Sequence, residues 1–190
     1  MDKSINIEEI EKAFPELNTI NNVEWRKKVC NIWKEVFENS RWERLNDAQY
    51  NPLAPGISLV DHTRAVTLGA LDLAKNLNKI FNVLISNDVL IVSCLLHDVC
   101  KLVEYEPADN GAIAKKSIIG KQYQHGFLSG YYALKENFPE SIVSIVVSHS
   151  GESKTIPRSI EGLALYYADM ADADFHRLIA GAPLLLEGKK

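Results

Sequence analysis

His97 and Asp98 stand side by side after an apolar run, residues 89–96, and are the residues best suited to chemistry in this sequence. Imidazole nitrogens and carboxylate oxygens are the usual protein ligands of iron, manganese and zinc. Four more residues of these two types lie at apolar boundaries: His62, His125, His149 and Asp169. One such histidine alone is often a core side chain bonded to a backbone carbonyl. Here several helices each bring such a polar group to an apolar boundary, where burial is costly unless the group is paired or coordinated. Converging polar groups of this kind favour a metal site in a helical bundle.

The order of these residues along the chain resembles the HD superfamily of metal-dependent phosphohydrolases, over roughly residues 62–174. The resemblance implies two divalent metal ions, of iron, manganese or another transition metal. The first ion would be bound by four residues: His62, His97, Asp98 and Asp169. Asp98 would also bridge to a second ion, which would be completed by His125 and His149.

The last ligand position has three candidates, which are Asp169, Asp172 and Asp174. Residues 167–169 resemble the apolar-Ala-Asp ending on the final helix of the family, so Asp169 is preferred. Asp172 lies one helical turn later and could support a ligand from outside the coordination shell. His176 lies beyond the motif, and we expect it at the surface or in ordinary packing.

Two metals about 3.5–4 Å apart activate a water for in-line attack on phosphorus. By resemblance, Asp98 is therefore the predicted catalytic ligand. Lys101, three residues later, is predicted to contact the phosphate in both binding and catalysis, although a lysine at a helix end can simply stabilise the helix dipole. Arg64 is a second candidate for binding substrate, or it points to solvent. Three more lysines precede His125 and either bind further phosphates or face solvent: Lys115, Lys116 and Lys121.

A narrower resemblance points to a nucleotide substrate. Residues 124–126, 148–151 and 167–169 are similar to the bacterial HD enzymes that split diadenosine tetraphosphate symmetrically. Residues 170–174 depart from that group, whose members usually carry a Glu-Pro-containing ending. The expected activity is hydrolysis of a nucleotide or of another small phosphate ester or anhydride.

Two other functions fit the same ligand order. Some HD proteins bind mixed-valent di-iron and oxidise a C–H bond with dioxygen, as the inositol and aminophosphonate oxygenases do. Iron accepts the same nitrogen and oxygen ligands, so the ligands alone do not separate an oxygenase from a hydrolase. A regulatory module without catalysis is the third alternative, but such modules often lose ligands and this chain retains all six.

Helices are the elements that must position these residues. Amphipathic or apolar periodicity predicts helices near 4–20 (interrupted by Pro15), 23–37, 58–77, 87–96, 140–149 and 158–181, with another carrying His125. Residues 101–120 predict a polar loop, and residues 38–57 a loop that wraps the core or covers the site. We therefore predict an all-α fold with one HD domain over residues 1–190. Its core would span about 58–180, with an N-terminal helical extension and loop at 1–57.

The composition is that of an ordinary soluble protein of 190 residues, long enough for a sizeable core. The net charge of −4 provides no general field for nucleic acid, and the apolar runs are too short to span a membrane. Three cysteines without CxxC spacing argue against a disulfide framework, and no secretory signal is visible. We expect a cytoplasmic protein that acts on a small phosphorylated molecule. The helix near 23–37 is expected to pack on the core, with a homodimer interface as its alternative role.

Overall fold

A computed structural model of the chain describes residues 3–108, 113–151 and 153–189 and is mostly helical. The helices are α1 (Ile7–Ala13), α2 (Val23–Glu38), α3 (Leu59–Phe81), α4 (Asn87–Leu96), α5 (Lys101–Glu104), α6 (Ile118–Gln122), α7 (His125–Lys135), α8 (Glu140–Ser148) and α9 (Ile160–Ile179). Short 3-10 turns occupy Pro15–Thr19, Leu45–Asp47 and Leu185–Lys189. The predicted all-α class is confirmed. Within the described ranges, no helix is both long enough and apolar enough to cross a membrane.

The central element is α4, which packs against α2, α3, α8 and α9. The Ser86 side chain accepts a hydrogen bond from the Val89 backbone N–H and so caps the start of this helix. Every residue from Leu90 to Leu96 is buried, as the apolar composition of the run predicts. Because α4 ends at Leu96, the two residues that follow it emerge in the middle of the helical bundle.

A close approach of α7 and α8 brings two of the predicted ligands together. The chain reverses between the helices, where Asn137 adopts a left-handed conformation with φ of 55°. Gly130 on α7 lies so near Val147 on α8 that a Cβ atom would overlap the valine side chain. The two helices can therefore pack tightly, and the rings of His125 and His149 lie 5.3 Å apart, centre to centre.

The N-terminal segment shares a hydrophobic core with the helices that carry the site. Trp33 of α2 is fully buried, and its indole N–H donates to the Leu95 carbonyl of α4 at 2.8 Å. The indole N–H of Trp42 likewise donates to the Tyr105 carbonyl at 3.2 Å. The prediction that helix 23–37 packs on the core is confirmed. Its alternative role at a homodimer interface stays a prediction, and it would have to use the exposed part of the helix, since the residues from Val29 to Phe37 on its apolar face are buried within the chain.

Residues 101–120, which were predicted as a polar loop, contain regular structure, so that prediction is wrong for the part described. After α5, strand β1 (Tyr105–Glu106) pairs antiparallel with β2 (Lys115–Lys116), and α6 follows. Residues 109–112 of the predicted loop lie outside the described residues. Gly120 packs so closely on the Glu104 carbonyl that a Cβ atom would overlap it. Elements this short carry no readable periodicity, and tertiary contacts hold them in place.

Candidate metal centre

Five helices bring the six predicted ligands to one place in the bundle. His62 lies in the first turn of α3, and His97 and Asp98 directly follow α4. His125 begins α7, His149 directly follows α8, and Asp169 lies in the middle of α9. All six side chains are buried. Their donor atoms form two groups that share Asp98, one completed by His62, His97 and Asp169 and the other by His125 and His149.

Two of the histidines are oriented by the backbone of their own helices. His97 Nδ1 lies 2.6 Å from the Cys94 carbonyl oxygen, and His149 Nδ1 lies 2.6 Å from the Val146 carbonyl oxygen. Since a carbonyl only accepts, each Nδ1 carries the proton, which leaves Nε2 with a free lone pair. A hydrogen bond that fixes the tautomer in this way is typical of metal-ligating histidines.

The other two histidines each have a carboxylate behind the ring. Nδ1 of His62 lies 2.7 Å from Oδ2 of Asp172, and Nδ1 of His125 lies 3.0 Å from Oε2 of Glu104. Glu104 is 2 % exposed, and Lys116 lies 3.3 Å from its other carboxylate oxygen. A carboxylate behind an imidazole increases the basicity of the opposite ring nitrogen, which is the atom that faces the centre of the site.

Each oxygen of Asp98 faces a different group of donors. Oδ2 lies 3.1 Å from Nε2 of His62 and 3.5 Å from Nε2 of His97. Oδ1 lies 3.1 Å from Nε2 of His125 and 3.4 Å from Nε2 of His149. This is the arrangement expected of a carboxylate that bridges two cations.

The donor atoms fit a divalent transition metal. Donors that share one ion at about 2.1 Å lie about 3.0–3.4 Å apart, and Oδ1 of Asp169 is 3.3 Å from Nε2 of His62 and 3.8 Å from Nε2 of His97. Nε2 of His62, His97 and His149 and both oxygens of Asp98 are buried without a well-formed hydrogen bond to any described residue. Buried polar atoms in this state are costly, and coordination of a cation would satisfy them.

The electrostatics of the site favour ionised carboxylates next to imidazoles. Burial lowers the pKa of His97 to about 4, so its imidazole is neutral, as a metal ligand must be. Burial would also lower the pKa of His125, but the Asp98 carboxylate outweighs it and raises that pKa to about 9. For Asp169, burial is outweighed by the neighbouring His62 imidazole, which lowers its pKa to about 2. A metal ion held at the second group would compete with the proton on His125.

Lys101 lies against the shared carboxylate. Its Nζ is 2.8 Å from Oδ2 of Asp98 and 4.0 Å from the ring centre of Tyr50. Burial would lower the pKa of Lys101, but Asp98 and Asp169 outweigh it and hold the pKa above its ordinary value. Lys101 is therefore a buried cation, because only 7 % of it is exposed. It is not the solvated lysine at a helix end that was the alternative to a phosphate contact.

Tyr50 is a site residue that we did not predict. Its ring stacks on His62, with 3.7 Å between ring centres and 22° between planes. It comes from the loop at 38–57, where the chain is held by an isolated bridge between Gln49 and Ser58. From the sequence, Tyr50 is an aromatic residue in a long loop. The bridge, which pairs residues nine apart, places its ring beside α3.

A cavity of about 250 Å³ opens beside both groups of donors. Ligands from each group, Asp169 and His125, line it together with two cations, Lys101 and Arg177. The remaining wall combines apolar and small residues: Tyr50, Asn51, Ser150, Gly151, Met170, Ala173, Leu185 and Gly188. The cavity can thus hold an anionic group next to the donors and an apolar ring beside it.

Arg64 does not lie in this cavity, so the prediction that it binds substrate lacks structural support. Its Nε donates to Oε1 of Glu16 at 3.1 Å. The side chains of residues two apart on a helix point to nearly opposite sides. The Arg64 side chain therefore points away from the site that His62 faces. Two of the lysines before His125 are also paired elsewhere, Lys115 with Glu106 at 3.8 Å and Lys116 with Glu104.

The three aspartates of α9 have different partners. Asp169 lies with the donors of the first group, whereas Asp172 contacts His62 from behind, at the supporting position predicted for it. Asp174 accepts hydrogen bonds from the backbone N–H groups of Leu185 at 2.5 Å and Leu186 at 3.3 Å. His176 lies 3.5 Å from Asp172 and outside both donor groups.

Glu104→Gln is expected to weaken metal binding at the second group about 10-fold, because the neutral amide no longer increases the basicity of His125. The loss would be measured by titrating metal into chelator-treated protein. Glu106→Gln is the matched control, since Glu106 lies two residues later and contacts Arg41 and Lys115 instead. Equal affinities in the two variants would show that Glu104 does not support His125.

Comparison with known proteins agrees with this geometry. A model of the HD domain family matches residues 59–174, from the first residue of α3 to Asp174 of α9. The chain therefore belongs to the HD domain family, and the resemblance to HD phosphohydrolases is confirmed. Over 116 residues it is 34% identical to the dihydroneopterin 2′,3′-cyclic phosphate phosphodiesterase of Methanocaldococcus jannaschii. The aligned stretch covers 60% of this chain and 46% of that relative, so the chain matches less than half of the relative's length. No solved structure matches the chain significantly.

Proposed function

We propose that this protein is a metal-dependent phosphohydrolase with a dinuclear centre that cleaves a small phosphate ester. The observation that carries the proposal is the placement of Asp98, whose two oxygens face two separate groups of donors. The first group would hold one ion through His62, His97, Asp98 and Asp169. The second would hold another ion through Asp98, His125 and His149.

When bound, the metal ions supply Lewis-acid stabilisation of the phosphoryl group and activation of the attacking water. The chain itself supplies binding and orientation. Lys101 binds a non-bridging phosphate oxygen, and its contact with the Tyr50 ring holds the ammonium group at the mouth of the donor cluster. Burial of these groups limits competing water and strengthens each charge interaction.

The substrate we propose is a cyclic phosphodiester or a small nucleotide-like phosphoester. The relative of 34% identity is named for the 2′,3′-cyclic phosphate of dihydroneopterin, which combines a phosphodiester with a planar ring. A cavity of about 250 Å³ with Tyr50, Met170 and Leu185 on its wall suits one ring and one phosphate. The dinucleoside tetraphosphate suggested by residues 124–126, 148–151 and 167–169 is the second substrate to test.

The test of the dinuclear centre is metal content per chain, measured by elemental analysis on wild type and His125→Ala purified without added chelator. We expect about two metals to fall to about one, because the variant loses a donor of the second group only. His176→Ala is the control, since that histidine lies outside both groups. One metal in wild type that is unchanged in His125→Ala would refute the dinuclear centre and leave a mononuclear phosphohydrolase.

The activity is tested on nucleoside 2′,3′-cyclic phosphates, nucleotides and bis(p-nitrophenyl) phosphate, with dioxygen consumption recorded on the same samples. Ester cleavage without oxygen uptake supports the hydrolase. Oxygen uptake without cleavage of any phosphate ester would instead identify the di-iron oxygenase that the same ligand order permits. The cation Lys101 beside the donors favours the first result.

A further inference from the structure

The chain reverses sharply after α9 and returns over the cavity. Gly181 adopts a left-handed conformation with φ of 68°. The backbone N–H of Gly181 donates to the Leu178 carbonyl at 3.2 Å, and that of Ala182 donates to the Arg177 carbonyl at 2.9 Å. These bonds close the helix end in the manner of a Schellman turn, so the following residues run back along α9.

The returning segment is fixed to α9 by a buried carboxylate. Asp174, which is 9 % exposed, accepts the backbone N–H groups of Leu185 and Leu186. Leu185 packs against the small apolar cluster formed by Tyr50, Ala54 and Ala173. The 3-10 turn at Leu185–Lys189 therefore forms one wall of the cavity.

Arg177 lies where this wall meets α9. It follows Asp169 and Ala173 at intervals of four residues, so all three lie on the face of α9 that lines the cavity. Its Nη1 donates to the Pro183 carbonyl at 2.9 Å. No carboxylate among the residues that the structure describes forms an ion pair with Arg177. A guanidinium has five N–H donors, and a half-buried one facing a cavity without an anionic partner is suited to bind an anion.

We propose that Arg177 is a second phosphate-binding residue of the active site, in the cavity beside the metal donors, and that the C-terminal turn sets its position. The inference rests on the proposed phosphohydrolase function. Arg177 lines the same cavity of about 250 Å³ as Asp169 and Lys101, so a phosphate bound in it beside Asp169 would face the guanidinium. Arg177 and Lys101 would then neutralise the charge of the bound ester together.

The experiment compares wild type with Arg177→Gln and Arg177→Lys. Gln keeps a donor for the Pro183 carbonyl but removes the charge, whereas Lys keeps the charge. Binding of inorganic phosphate is measured by calorimetry, and KM and kcat are measured on bis(p-nitrophenyl) phosphate. We expect Arg177→Gln to weaken phosphate binding and raise KM about 10-fold or more, with a smaller change in kcat. Arg177→Lys should keep most of the affinity. Metal content should equal that of wild type in both variants.

Arg158→Gln is the matched control, because Arg158 is exposed and does not line this cavity. It should bind phosphate as wild type does. The inference is overturned if Arg177→Gln also binds phosphate as wild type does. It is likewise overturned if the Lys and Gln variants lose affinity and melting temperature equally, since Arg177 would then only secure the turn. Wild type that binds phosphate but cleaves no ester would refute the proposed function, while the binding comparison would still decide the role of Arg177.

Discussion

Asp98→Ala is expected to remove both metal ions and to abolish turnover. Each oxygen of this carboxylate faces one group of donors, so a single substitution takes a ligand from both. Loss of a residue that merely supports a ligand typically costs 10–100-fold in metal affinity or activity, and loss of a shared ligand should exceed that, with activity reduced more than about 100-fold. Elemental analysis and an assay on the best phosphoester of the panel would measure the two effects.

The variant also leaves the Lys101 ammonium buried without its nearest carboxylate, so stability must be followed separately. Melting temperature is measured without metal for wild type and Asp98→Ala. Asp98→Asn, which keeps the size of the side chain, serves as a second variant. Asp72→Ala on the exposed part of α3 controls for the loss of one negative charge. Full metal content in a folded Asp98→Ala protein would contradict the assignment of Asp98 as the shared ligand.

The ligands could be predicted from sequence because their order resembles that of the HD family and because each stands next to an apolar helix. In α4 the apolar run is interrupted only by Ser93, so the sequence predicts the end of the run, at His97 and Asp98, to the residue. The position of His62 could be predicted for a related reason. Ser58 caps α3, which places this histidine in the first turn of an amphipathic helix. Spacing along a helix therefore locates a donor whenever the helix itself is strongly periodic.

The residues that support the ligands could not be predicted in the same way. Glu104 lies in a helix of four residues, and its contact with His125 depends on the packing of Gly120 against its backbone. Tyr50 lies in a loop, and Arg177 is directed by a turn that follows its helix. Each position depends on tertiary contacts between segments that have no periodic pattern. Sequence spacing does not report such contacts.

Arg64 shows why closeness in sequence is a poor guide to a shared site. It follows His62 by two residues, but a helix rotates by about 200° over that distance, and the guanidinium turns away to Glu16. Lys101 follows Asp98 by three residues, a separation that keeps two side chains on one face of a helical turn. Helical periodicity is thus the physical reason why Lys101, the first candidate for the phosphate contact, lies beside the ligands, whereas Arg64, the second candidate, does not.

Lys101→Ala is expected to lower kcat about 10²–10³-fold on the best phosphoester while metal content stays at the wild-type level. The substitution removes a buried cation that lines the cavity beside the donors, and removal of one preorganised group that stabilises developing negative charge typically costs this much. Lys101 belongs to neither donor group, so the substitution removes no ligand, and Asp98 loses only its contact with the ammonium group. Steady-state kinetics and elemental analysis on the same preparation measure both quantities.

Lys121→Ala is the matched control, because Lys121 is an exposed lysine outside the cavity and its loss should change neither quantity. A fall in metal content in Lys101→Ala would show that the ammonium acts by orienting Asp98, to which it lies 2.8 Å away, and not by contacting phosphate. Unchanged kcat and KM would remove Lys101 from the mechanism and leave Arg177 as the remaining cation of the cavity wall. A large loss of kcat at constant metal content is the result that only a direct role on the substrate explains.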